Sequence, residues 1–269
     1  MSIFIKTTEE SSYYRHLEKM TANEILTSIN NEDLKVAETI KQAIPQVEKL
    51  VETIADKVLS GGRLFYIGAG TSGRLAIVDA SECPPTFGIP HGLVIAIIAG
   101  GEKAITNAVE FAEDNVVQGW HDLQKHFINE KDVVVGISAS GTTPYVLGAL
   151  KQCKMNNIVT GSIVSNMCSP MASISDYTIE ILTGPEFVTG STRMKAGTAQ
   201  KMVLNMISTS LMIMIGRVED NMMVNMQLTN EKLIDRGVKI VMDKMQINDY
   251  SKAKKMLQKN GSVKKTLEK

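Results

Sequence analysis

The stretch Arg63-Leu64-Phe65-Tyr66-Ile67-Gly68-Ala69-Gly70-Thr71-Ser72-Gly73-Arg74 decides the fold. An unbroken apolar run with two aromatics suits a strand covered on both faces rather than a half-solvated one. The glycines that follow let the backbone turn tightly, and small hydroxyl residues lead into a helical pattern. Asp132-Val133-Val134-Val135-Gly136-Ile137 repeats this arrangement and enters Ser138-Ala139-Ser140-Gly141-Thr142-Thr143-Pro144. Leu93–Ile98, Ile158–Val164 and Tyr177–Ile181 have the same character, with helical patterns between them. The order βαβαβαβαβ predicts an α/β fold: a doubly wound, mainly parallel five-stranded sheet flanked by helices, with its ligand site at the carboxyl ends of the strands.

Outward from this core the chain reads as helix. Val36, Ile40, Ile44, Val47, Leu50, Val51, Ile54 and Val58 recur at helical spacing, and Gly61-Gly62 ends the run. Thr21 stands three residues before Glu24, a capping-box pattern. On the other side Met202, Leu204, Met206, Ile207, Leu211, Met212 and Ile215 predict a long apolar helix. The methionines concentrated there read as core or dimer packing. Three parts result: an N-terminal helical segment 1–59, an α/β domain 60–218 and a C-terminal helical segment 219–269.

Composition excludes several classes. Lys plus Arg and Asp plus Glu both number 29 in 269 residues, so the overall basic excess of a nucleic-acid binder is missing. The tail lysines, Lys252 through Lys269, read as a solvated helix face. Cys83, Cys153 and Cys168 form no Cys/His cluster, which argues against zinc, and their odd number fits a reducing compartment. His16, His91, His121 and His126 show no ligand spacing and read as structural or surface residues. Met1–Glu10 lacks the apolar stretch of a signal peptide, and the longest apolar runs fall short of the roughly 20 residues a membrane helix needs. A cytoplasmic, soluble protein without bound zinc is expected.

Both hydroxyl-rich turns join a buried strand to a helix start, where backbone N–H groups and the helix dipole favour a phosphate. Gly68–Gly73 formally matches GxGxxG, but a dinucleotide site wants an acid ending the second strand, and Glu102 comes only after Gly100-Gly101. No lysine of the P-loop type follows either turn. A single sugar phosphate suits them better. A third segment, Gly184–Lys201, interleaves hydroxyl residues with Arg193, Lys195 and Lys201 ahead of the apolar helix, so it reads either as another anion site or as ordinary capping. Among carboxylates, Glu82 lies in Asp79-Ala80-Ser81-Glu82-Cys83-Pro84-Pro85-Thr86, where the prolines are expected to stop the helix. Glu110 and Glu113 are expected on one helical face. Two carboxylates near a phosphate anchor suit proton abstraction and donation at a sugar carbon, though each also reads as a solvated acid, and spacing leaves their convergence open.

Gly68–Arg74, Asp79–Thr86 and Gly184–Lys201 together resemble the N-acetylmuramic acid 6-phosphate etherases, and the resemblance runs from about residue 21 to 237. It implies a SIS (sugar isomerase) fold, a homodimer with sites near the subunit interface, and cleavage of the D-lactyl ether of N-acetylmuramic acid 6-phosphate without metal or organic cofactor. It implies Glu82 as proton donor and Glu113 as second catalytic acid/base. Gly70, Thr71, Ser72, Glu110, Ser138, Ser140, Thr142, Ser191 and Lys195 would hold the substrate. The glucokinase regulatory protein shares the fold, so a non-catalytic sugar-phosphate sensor is the alternative, with an aldose–ketose isomerase as a second. Two departures stand out: Thr142 replaces an Arg common in the family, and the C-terminal part looks shorter than usual.

Overall fold

The computed structural model describes residues 4–269. A long helix, α1 (Ala22–Leu59), leads into β1 (Leu64–Gly68), α2 (Gly70–Phe87), β2 (Val94–Ile98), a single turn α3 (Lys103–Thr106), α4 (Gln118–Gln124), β3 (Val133–Ser138), α5 (Pro144–Met155), β4 (Val159–Val164), α6 (Pro170–Ile174), β5 (Tyr177–Glu180) and α7 (Lys195–Met214). Three further helices follow: α8 (Glu231–Lys244), α9 (Tyr250–Asn260) and α10 (Val263–Leu267). The strands form one sheet in the order β2-β1-β3-β4-β5, and every neighbouring pair is parallel. The expected five strands are all present.

Alternation along each strand divides the core in two. Leu64, Tyr66, Val133, Val135 and Ile137 point toward α1, α2 and α7. Phe65, Ile67 and Val134 point toward Leu123 of α4 and Tyr145, Val146 and Leu150 of α5. Winding reverses between β1 and β3, so the crevice at their carboxyl ends is where this topology binds ligands. Gly68 lies in register with Ile137, so the two hydroxyl-rich turns leave adjacent strands side by side.

The start of α1 is the capping box the sequence predicts: the Thr21 N–H donates to Glu24 at 2.7 Å, and the Glu24 N–H donates to the Thr21 hydroxyl at 3.3 Å. Two expectations fail. The chain before Thr21 is not α-helical. Only single 3₁₀ turns form at Thr7–Glu9 and Leu17–Lys19, because Thr7, Thr8 and Ser12 bond to distant groups instead of continuing a helix. Met1–Ile3, the rest of that expected segment, lie outside the described residues. Nor do Pro84 and Pro85 stop α2, which continues to Phe87. The prolines remove two N–H donors in the last turn, and tertiary packing holds that turn. Gly88, at φ +63°, closes it by donating to the Pro84 carbonyl at 2.9 Å, and a Cβ there would lie 1.9 Å from the Asn225 carbonyl oxygen.

That packing comes from the C-terminal helices, which surround their own small core of Val224, Met226, Val238, Val241, Leu257 and Val263. The Gln227 N–H donates to the Pro85 carbonyl at 3.1 Å and ties this unit to the end of α2. Among the described residues, no helix is long and apolar enough to cross a membrane.

Midway along α2, Asp79 is buried against α7. One carboxylate oxygen accepts from the Ser208 hydroxyl at 2.9 Å and the Asn205 amide at 3.2 Å. The buried Tyr66 hydroxyl also lies close to this carboxylate. Burial raises the Asp79 pKa from 3.8 to about 6, against the lowering effect of its donors. Between those values the folded state holds a proton that the unfolded chain has released. Asp79 therefore removes stability as pH rises from about 4 to about 6 and has a constant effect above. Asp79→Asn should abolish this contribution, so its stability relative to wild type should climb by up to ~3 kcal/mol across that window in denaturant titrations. A pH-independent difference would contradict the assignment.

Candidate functional site

The turn after β1 places Gly70 at the N-terminus of α2 in the left-handed region, φ +52°, which glycine adopts at least cost. Gly68 is needed for closeness: a Cβ there would meet the Gly73 nitrogen at 2.8 Å. Thr71 and Ser72 occupy the first turn of α2, where unpaired N–H groups favour an anion. Beside it, the turn after β3 is a ring of hydroxyls. Ser138 Oγ lies 3.2 Å from Ser140 Oγ and 2.8 Å from Thr143 Oγ1. The Gly141 N–H donates to Ser138 Oγ at 3.1 Å, and Thr142 donates to Ser140 Oγ from its hydroxyl at 2.9 Å. Hydroxyls rotate, so an arriving phosphate can take over these donors without backbone movement.

A cavity of about 190 Å³ opens against the first turn and is lined by Ala69, Gly70, Arg74, Ala99, Glu110 and Glu113, among others. The two glutamates thus meet one cavity, though not by the expected route. Phe111 between them adopts a left-handed conformation (φ 59°), and only Ala112–Asp114 forms a 3₁₀ turn. They share a bent loop rather than a helical face. Arg74 holds this loop: its Nε donates to the Ile105 carbonyl at 2.9 Å and its Nη2 to the Asn107 carbonyl at 3.2 Å.

The Gly184–Lys201 segment approaches from the other side. A Cβ on Gly197 would lie 3.4 Å from the Thr71 methyl, so the first turn of α7 abuts the first turn of α2. The α7 N-terminus already holds an anion of the protein's own. Glu186 accepts the backbone N–H groups of Lys195 at 2.8 Å and Ala196 at 2.9 Å. Burial pushes the Glu186 pKa up, and these two donors pull against it. The Lys195 ammonium turns inward and pairs with Glu32 of α1, both side chains being almost fully buried. Glu32 also receives Lys35 and the Tyr14 hydroxyl. Burial alone would raise the Glu32 pKa, and the two ammonium groups outweigh it and hold the pKa below the ordinary value. Ser191 is partly exposed at the start of this segment.

Glu82 stands apart. It is exposed, and twelve residues of α2 separate it from Gly70, about 18 Å along the helix axis. Within one chain the structure gathers Gly70, Glu110 and Glu113 around one cavity, sets the Ser138–Thr143 ring beside them, and leaves Glu82 at the distal end. Sequence reasoning missed Arg74 as a strut, Glu186 as a helix cap and Glu32 as partner of Lys195. Arg74 was visible in its motif, but nothing local to Glu32 or Glu186 marks a partner so far along the chain.

Residues 45–154 match the N-terminal SIS domain of glucokinase regulatory protein, and residues 103–210 match the SIS domain. Among solved structures, phosphoheptose isomerase GmhA from Neisseria gonorrhoeae superposes with a TM-score of 0.55 at 16% identity, covering 71% of this chain and 98% of that one. A phosphoheptose isomerase from Francisella tularensis gives 0.53 at 14% identity over 71% and 98%. These two likenesses concern the fold alone. Curated sequences reach further. The N-acetylmuramic acid 6-phosphate etherase of Christiangramia forsetii is 58% identical over 97% of this chain and 95% of that protein. The Bacteroides thetaiotaomicron etherase is 56% identical over 98% and 95%, and the Pasteurella multocida etherase 46% over 96% and 86%. At such identity over nearly the whole chain, with the SIS sheet and its hydroxyl turns in place, the chain belongs to the N-acetylmuramic acid 6-phosphate etherase family.

Proposed function

We propose that this carbon–oxygen lyase acts through Glu113 in the cavity beside Gly70 and through Glu82 contributed by a second copy of the chain. The overall reaction is cleavage of the D-lactyl ether of N-acetylmuramic acid 6-phosphate, with water consumed and N-acetylglucosamine 6-phosphate and D-lactate formed. The observation that supports Glu113 is its place beside Glu110 in a cavity against the α2 N-terminus at the switch point of the sheet, and the second copy is inferred from Glu82 lying about 18 Å further along α2.

In this reading Thr71, Ser72 and the Ser138–Thr143 ring hold the phosphate by hydroxyl and backbone donors. Thr142 supplies a hydroxyl where an Arg is common in the family, so phosphate charge is met by helix dipoles and hydroxyls at this corner. Ser191 lies in the segment whose end abuts the first turn of α2, the Lys195 ammonium is turned away into its pair with Glu32, and Glu110 contacts the sugar. Opening of the ring to the aldehyde acidifies the C2 proton. One carboxylate removes it, the C3–O bond breaks, and the other carboxyl group protonates the departing lactate oxygen. Water then adds its hydroxide to C3 and a proton returns to C2. A homodimer supplies the missing carboxylate, and the cytoplasm is the expected compartment.

The test is incubation with N-acetylmuramic acid 6-phosphate in ¹⁸O-enriched water. Enzyme-dependent D-lactate with the label on sugar C3 supports elimination and hydration. Label on the lactate, or no lactate, refutes them. Within this scheme Arg74→Lys should lower kcat/KM about tenfold, because an ammonium cannot span the Ile105 and Asn107 carbonyls and the acid-bearing loop loosens. Steady-state kinetics with melting curves would check this, and an unchanged kcat/KM would show that the loop needs no strut.

A further inference from the structure

Residues 4–20 place no apolar side chain fully in the core, and Phe4, Tyr14, Leu17 and Met20 are only partly covered. The two residues of this strap that are fully covered are Thr8 and Ser12, both hydroxyl-bearing. The fully buried groups of the strap are thus polar, and their hydrogen bonds go to particular places. The Thr8 N–H donates to Asn166 Oδ1 at 3.2 Å, and the Thr7 hydroxyl donates to the same oxygen at 3.0 Å. The buried Asn166 amide donates in return to Thr8 Oγ1 at 3.0 Å and onward to the Ala139 carbonyl at 3.0 Å, inside the hydroxyl ring. At the other end, the Ser12 hydroxyl donates to the Phe187 carbonyl at 2.7 Å and the Ser12 N–H to Thr189 Oγ1 at 2.9 Å. The Tyr14 ring packs on Phe187 at 4.9 Å between centroids. One short strap therefore bonds to the back of the turn after β3 and to the segment that leads into α7.

We propose that the strap is a clamp for the sugar-phosphate site, with Thr8 and Ser12 as positioning residues that set the Ser138–Thr143 ring against the Phe187–Ser191 wall. Asn166 is the relay: its amide joins Thr8 to the Ala139 carbonyl. With the relay cut, the ring keeps its internal hydrogen bonds but loses its fixed distance from the α7 side. Phosphate affinity falls while the acids in the cavity beside Gly70 are untouched. The clamp rests on the reading of the ring as the phosphate holder, so its test needs a probe that reports phosphate binding apart from the etherase reaction.

That probe is N-acetylglucosamine 6-phosphate, titrated calorimetrically against the full chain, with unphosphorylated N-acetylglucosamine as control. Thr8→Val keeps the shape of the side chain and removes its hydrogen bonding. It should weaken binding of the phosphorylated sugar about tenfold, leave the control unchanged, and raise KM with kcat within about threefold of wild type. Thr8→Ser should restore affinity. If Thr8→Val does not fold, Thr7→Val removes one donor to Asn166 from a partly exposed position and carries the same comparison. Unaltered affinity in a folded variant overturns the clamp and leaves the etherase reading intact. So does a loss equal for both sugars, or a fall in kcat alone. A wild-type chain that fails to bind N-acetylglucosamine 6-phosphate overturns the sugar-phosphate reading of the ring and the clamp with it.

Discussion

Mixing Glu82→Gln chains with Glu113→Gln chains should restore about one quarter of the wild-type rate of D-lactate release, although each variant alone is slower by about 10²–10⁴-fold. The argument is geometric. Glu113 borders the cavity at Gly70, and Glu82 lies about 18 Å further along α2. A general acid and base acting on adjacent sugar carbons must both come within hydrogen-bond reach of one substrate. If the two come from different chains, each two-fold dimer has two sites, each with Glu82 from one copy and Glu113 from the other. Random exchange makes about half of the dimers mixed, and in each of these one site has both carboxylates and the other has neither. Both side chains are exposed, so the substitutions should leave melting unchanged. Co-refolding followed by a D-lactate assay gives the number. No recovery would mean that both acids serve one site from one chain.

The second large effect concerns stability. Lys195→Met should cost about 3 kcal/mol or more in denaturant unfolding, because it leaves the Glu32 carboxylate buried without its one buried cation among the described residues. Lys35 remains beside the other Glu32 oxygen and limits the loss. Adding Glu32→Leu should recover most of the stability, since an apolar pair of similar volume removes the stranded charge. Well below the melting temperature, Lys195→Met should bind substrate with nearly unchanged KM. The opposite pattern, normal melting with a strongly raised KM, would make the ammonium a phosphate ligand.

The sheet was legible in the sequence because strands covered on both faces need uninterrupted apolar runs, and Leu64–Ile67 or Val133–Val135 have few other readings. The two hydroxyl-rich turns were legible as strand-to-helix turns for a related reason: glycine and small hydroxyl residues let the backbone turn tightly between a buried strand and a helix start. Errors arose where tertiary contacts override local rules. Pro84 and Pro85 deprive the end of α2 of donors, yet Gln227 and Asn225 hold that turn in place. Glu110 and Glu113 have helical spacing, but Phe111 breaks the helix between them. Lys195 sits in a segment rich in anion-binding character, and its partner is a carboxylate 163 residues away. No periodicity or motif encodes a contact of that separation.

The clamp also has an order in time. Thr8 and Ser12 leave the ribosome well before their partners, since Asn166 and Phe187 follow 158 and 175 residues later. The strap thus waits for most of the chain to be made and folded before it has anything to grip. Because its fully buried groups are polar, they add little to the drive for collapse and form after the sheet and its helices. Refolding chains should regain helical signal first and affinity for the phosphorylated sugar later, so the enzyme is assembled before it is fitted to its substrate.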